Sequence, residues 1–205
     1  MRRPIQKTQT LNDDTFASNP GMVTLSHEKL RALQPNLYPS WLKRRLDPKF
    51  AEKVQWWFTH IEEHLSNGDS RAAVVVATQP PLVAAYTDEL DCVVLLEFDY
   101  EVVAAINFEV GTKLLTINTY GPRDNGVASD LKVGLGDEGR WGNFAPFIAE
   151  FFSDDIERIE ARKAQVAEDE WKRTGKLGFE ALQSGVHSRS GRPLLCFKTA
   201  EEVFG

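Results

Sequence analysis

The sequence predicts an α+β fold: a mainly antiparallel meander of four to five strands packed against two long helices, with an irregular N-terminal arm. Three observations point there. Two long stretches carry apolar residues at helical spacing. Between them lie short β-branched runs whose connections are too brief for helical crossovers. The first 40 residues are interrupted by Pro4, Pro20, Pro35 and Pro39. At 205 residues the chain suits an arm over 1–40 and a single domain over 41–205 that is large enough to bury a core.

Taken in order, the arm carries turn chemistry at 12–14 and 18–21 and a short helix from Ser26 to Leu33 capped by Ser26. Leu11, Phe16, Met22, Val23 and Leu25 make it too apolar for a linker, so it is expected to dock. After a lead-in from Trp41 to Leu46, the first long helix opens at Asp47-Pro48, an N-cap followed by proline in the first turn. It runs to about Leu65 and stops at Ser66-Asn67-Gly68, with Gly68 expected in the left-handed cap conformation. Phe50, Val54, Trp57, Phe58, Ile61 and Leu65 form its apolar stripe. Adjacent Trp56 points about 100° away from Trp57, and its burial beneath the arm is expected.

Residues 71–78 read as a strand buried on both faces. Further strands are expected at 92–98, 102–108 and 113–119, with 82–90 leaning to strand over helix. Six glycines in 121–142 mark an irregular loop. A second long helix is expected over 143–173, apolar on one face in its first half through Phe144, Phe147, Ile148, Phe151 and Phe152. Charge pairs at i,i+4 fill its second half, and Gly175 and Gly178 end it. A last strand is expected at 194–198.

Charge is unevenly spread. The net charge is −6, and residues 71–142 alone carry 5 basic against 11 acidic side chains. Asp88, Glu89, Asp91, Glu97, Asp99 and Glu101 fall within 14 residues that hold no lysine or arginine. Such a surface repels phosphate backbones and favours a basic partner. No apolar run approaches the roughly 20 residues of a membrane span. The basic opening Met1-Arg2-Arg3 has no apolar stretch behind it, so a cytoplasmic protein is expected.

Four stretches carry residue types that suggest chemistry. His60-Ile61-Glu62-Glu63-His64 fits H-x-x-E-H, in which two histidines one turn apart hold zinc while Glu63 activates water. A third ligand would be needed, from Glu97, Asp99 or Glu101; the competing reading is two boundary histidines packed on tryptophans. Gly134-Leu135-Gly136-Asp137-Glu138-Gly139 fits G-x-G-x-x-G, but its two acidic residues repel phosphate and no helix opens within it. Cys92 and Cys196, the only cysteines, sit in apolar runs and read as buried thiols. The loop 185–192 could take an anion through Arg189 and Arg192, or be an exposed turn.

The sequence therefore favours a non-enzymatic binding protein of inhibitor or adaptor type. It would recognise a basic protein partner through the six carboxylates, with no cofactor, nucleic acid or membrane involved. A zinc-dependent hydrolase built on His60, Glu63 and His64 is the alternative.

Overall fold

The structure, a computed structural model, describes residues 17–196, 198 and 199. Leu11, Phe16, the turn at 12–14, the Arg2-Arg3 pair and Phe197 lie outside the described residues. The general class is α+β. In chain order the main elements are α1 (His27–Leu33), α2 (Trp41–Leu46), α3 (Pro48–Asn67), β1 (Asp69–Thr78), β2 (Pro81–Thr87), β3 (Cys92–Glu97), α4 (Tyr100–Val103), β4 (Lys113–Pro122), β5 (Trp141–Ile148), α5 (Ile156–Lys163), α6 (Glu168–Gln183) and β6 (Arg189–Ser190).

The helices expected near the N-terminus form where their caps lie. Ser26 Oγ accepts from the Lys29 N–H at the start of α1, and an Asp47 carboxylate oxygen accepts from the Phe50 N–H at the start of α3. Val54, Phe58, Ile61 and Leu65 are buried along one face of α3, and Phe50 and Trp57 pack at its margin. Gly68 closes α3 without a left-handed turn, at φ −63° and ψ 157°. Glycine is needed there for a different reason. A Cβ would stand 2.7 Å from the His64 carbonyl oxygen and 2.7 Å from Ile117 Cγ2.

The sheet differs from the expected meander. It has six strands in the order β5-β4-β1-β2-β3-β6, and it is mixed, because β3 and β6 run parallel. β1, β2 and β3 follow one another as antiparallel neighbours, and β4 and β5 do the same, but β4 returns to the far side of β1. Residues 102–108 are not a strand. They finish α4 and a following turn, so a short apolar run was read with the wrong period.

The expected helix over 143–173 is four elements. Phe144, Phe147 and Ile148 belong to β5, whose residues are buried on both faces and so carry no helical period. Pro146 sits within that strand. A single turn at Ala149–Phe151 follows, then α5, capped by Asp155 onto the Arg158 N–H, and then α6. Gly175 and Gly178 do not end α6, which continues to Gln183. The final strand is Arg189–Ser190, and 194–196 forms turns.

Two layers cover the sheet. Ala72 and Val74 of β1 pack with Trp171 of α6, while Val76 and alternate residues of β2 and β3 (Leu82, Ala84, Tyr86, Val93, Leu95) pack with Leu177 and Ala181. The interleaved residues Ala73, Val75, Val83, Ala85, Val94 and Leu96 face the main core, which also holds Val23, Leu30, Leu33 and Leu37 from the N-terminal region. Each fully buried leucine or isoleucine there contributes about 1.5–3 kcal/mol. The sheet is also curled: Arg189, on the edge strand β6, donates at 3.0 Å to the carbonyl of Phe144 on the opposite edge strand β5. Among the described residues, no helix is long and apolar enough to cross a membrane.

Candidate interaction surface and aromatic cleft

The six carboxylates do not form one face. Asp88, Glu89 and Asp91 lie in the turn between β2 and β3, and Glu97, Asp99 and Glu101 follow the other end of β3. Six residues of strand, roughly 20 Å, separate the two groups.

The first group is held internally. Asp91 accepts from Arg173 Nε at 2.7 Å and Arg173 Nη2 at 2.6 Å, from the Tyr86 hydroxyl at 3.0 Å and from the Gly136 N–H at 3.2 Å. Burial alone would raise its pKa, but Arg173, the Gly136 N–H and Tyr86 outweigh that and hold it below the ordinary carboxylate range. The close approach explains the first two glycines of the G-x-G-x-x-G stretch, Gly134 and Gly136, whereas Gly139 takes a positive φ of 76°. A Cβ on Gly134 would collide with the Asp91 carboxylate. The motif is thus a loop wrapped on Asp91, with no helix opening within it. Asp88 pairs with Arg71 at 2.5 Å, and Glu89 accepts from the Trp141 indole N–H at 3.0 Å.

The second group faces solvent. Glu97, Asp99 and Glu101 are all exposed, as is Tyr100 at 60%. With Pro80, Pro81, Phe98 and Arg192 they line a shallow depression of about 380 Å³. Arg192 donates to Asp99 at 2.8 Å, and Ser188 donates its hydroxyl to Glu97 at 2.8 Å. Three carboxylates therefore meet one arginine around this depression. Asp99 precedes the first turn of α4, which turns the chain outward and presents Tyr100 and Glu101.

His64 and His60 have separate surroundings. The His64 ring stacks on Phe147, centroids 3.7 Å apart, and donates Nε2–H to the Ile117 carbonyl at 2.7 Å. A carbonyl only accepts, so Nε2 carries the proton, and Nδ1 accepts from the Thr119 hydroxyl at 3.2 Å. Burial drives its pKa down to about 4, against a smaller opposing pull from the Ile117 carbonyl. Both ring nitrogens are committed, so a metal ion here would have to break one of these bonds. His60 instead donates Nδ1–H to the Trp56 carbonyl at 2.8 Å, with its ring over the Trp56 ring. Glu63 is exposed. Among the described residues, no group of three His, Cys, Asp or Glu side chains is placed to hold a metal ion.

These histidines do line a cleft that motif reading missed. Trp56, Trp57, His60 and His64 of α3 face Thr119, Asn143, Ala145 and Phe147 of β4 and β5, with Pro193 at the rim, around about 320 Å³. Trp56 is 50% exposed there, so its expected burial is not what these residues show. The paired tryptophans were the only signal in the sequence; the opposing wall comes from strands over 50 residues away.

Cys92 and Cys196 are buried, and burial pushes both thiols up to about 12 despite nearby Arg189. Arg189 is not an anion-binding residue on an open loop. Its side chain is 0% exposed and donates to Asp130 at 2.6 and 2.7 Å, to Phe144 O and to Cys196 O. Comparison of the chain with protein-family models, with curated proteins and with solved structures finds no match.

Proposed function

We propose that this chain is a non-enzymatic binding protein, of inhibitor or adaptor type, that engages a basic protein partner through Glu97, Asp99 and Glu101. The observation that carries the reading is the excess of exposed carboxylate around one depression, where among the described residues three carboxylates meet the guanidinium of Arg192 beside an exposed tyrosine. Aromatic side chains of this kind serve as anchors at interfaces, with charge setting orientation and encounter rate. Asp88, Glu89 and Asp91 drop out of the contact because their oxygens already serve Arg71, Trp141 and Arg173. The zinc-hydrolase alternative loses support from the two hydrogen bonds that occupy His64.

Binding to immobilised lysine-rich and glutamate-rich peptides tests the reading. The chain is expected to bind the basic peptide, weaken steeply with added salt, and ignore the acidic one. Replacing Glu97, Asp99 and Glu101 together by lysine should weaken binding at least about tenfold. Lysine at the exposed Glu157 and Glu160 of α5 and Glu180 of α6, a control with the same three charge reversals, should cost far less. Equal losses from the two variants, or binding that persists unchanged in molar salt, would refute the assignment.

A further inference from the structure

Residues 17–21 run beside the start of β1. Pro20 bridges to Asp69, the Ser70 N–H donates to Asn19 O at 2.8 Å, and the Gly21 N–H donates to Gly68 O at 2.9 Å. A further bond of this strap is made by a side chain: the Asn19 N–H donates to Asp69 Oδ1 at 3.0 Å. The second oxygen of Asp69 accepts from Arg71 Nε at 2.7 Å.

That arginine is shared. Arg71 also pairs with Asp88 of the β2–β3 turn at 2.5 Å and with Glu170 of α6 at 3.7 Å. The remaining titratable neighbour is Tyr120 of β4, whose hydroxyl is buried against Thr87. Three carboxylates from three parts of the fold thus surround one guanidinium, and the Asp69 and Glu170 side chains are only 6% and 16% exposed. Two negative charges are left over, which like-charge repulsion and burial both oppose.

We propose that Asp69 is a proton-operated latch for the N-terminal strap, fastened when its carboxylate is ionised and loosened when it takes up a proton. The linkage follows from the geometry. An N–H bond to an ionised carboxylate is about twice as strong as one to a neutral acid, so holding Asn19 favours ionisation and protonation favours release. Burial pushes Asp69 up to about 6, against the pull of Arg71 and of the Asn19 N–H and with Asp88 adding to the rise. The Asn19 N–H itself pulls toward the ionised form, so the strap is held by the charged carboxylate and loosens as Asp69 takes up a proton at about pH 6.

Amide hydrogen exchange at Asn19, corrected for the intrinsic pH dependence of exchange, tests this on the full chain. Protection is expected to fall roughly five- to tenfold between about pH 7 and about pH 5. Asp69→Asn should abolish the dependence. Asp88→Asn removes a like charge and leaves Arg71 more fully to Asp69, so the midpoint should move to lower pH. The exposed position of Asp88, 43% accessible, keeps this second variant usable if Asp69→Asn does not fold. Protection independent of pH in the native chain overturns the proposal. So does an unchanged response in Asp69→Asn, or a midpoint in Asp88→Asn that stays or rises.

Discussion

His64 shows how a single residue acquires a role that its neighbours in sequence cannot assign. Its spacing from His60 was visible, but its partners are the Ile117 carbonyl, the Thr119 hydroxyl and the Phe147 ring, all supplied by the sheet. The physical consequence is a titration. The ordinary value near 6.5 falls to about 4 in the folded chain, so the unfolded chain binds the proton first. Stability from this group is complete above about pH 6.5 and is lost as pH falls toward about 4, amounting to roughly 3 kcal/mol. Against the unfolded chain as a whole Asp69 works in the opposite sense, since its burial lets the folded chain bind the proton first, whereas the Asn19 bond taken alone favours the ionised form. The two effects partly cancel in the native chain, so the test is a difference. The stability of native protein relative to His64→Gln, measured by urea unfolding, should decline by about that amount between about pH 7 and about pH 4. A constant difference would contradict the assignment. Arg189 makes a comparable point. Its loop reads as an exposed turn or an anion site, yet Arg189 is buried against Asp130. Arg189→Met leaves that carboxylate without its partner and should cost about 3–5 kcal/mol in urea unfolding, part of it recovered by adding Asp130→Asn.

Among the elements, α3 was legible because local chemistry defines it: Asp47 and Pro48 at one end, a stripe of apolar residues, and a polar stop. β5 was not, because a strand buried on both faces shows an unbroken apolar run, and such a run supports either period. Pro146, within that run, is a residue that disfavours a helix interior. The glycines of α6 were read as a stop when one of them is a contact. A Cβ at Gly178 would lie 2.5 Å from Ala84 Cβ and 2.8 Å from Val76 Cγ1, so the helix rests on the sheet at that point. At Gly175 a Cβ meets nothing within 4 Å. The pair therefore separates packing from propensity. Gly175→Ala should stabilise by about 0.5–1 kcal/mol, whereas Gly178→Ala should lose about 1–3 kcal/mol through overpacking despite the same propensity gain. Thermal unfolding of the two variants measures both signs.

At the scale of the molecule, composition and alternation were enough for the α+β class, but strand order was not. Nothing local says that β4 returns beside β1, or that a two-residue strand near the C-terminal end pairs in parallel with β3. The acidic run was equally visible as a count and opaque as a surface. Folding divides it across the length of β3, turning one half into internal fastenings and leaving the other beside Arg192. The arginine that joins the two edge strands also has a temporal consequence. β5 ends at residue 148, and the guanidinium that links it to β6 comes only at residue 189. Any roll that forms before residue 189 is made lacks that link and leaves Asp130 without this cation. Strand edges left unlinked in that way are where a stray strand attaches.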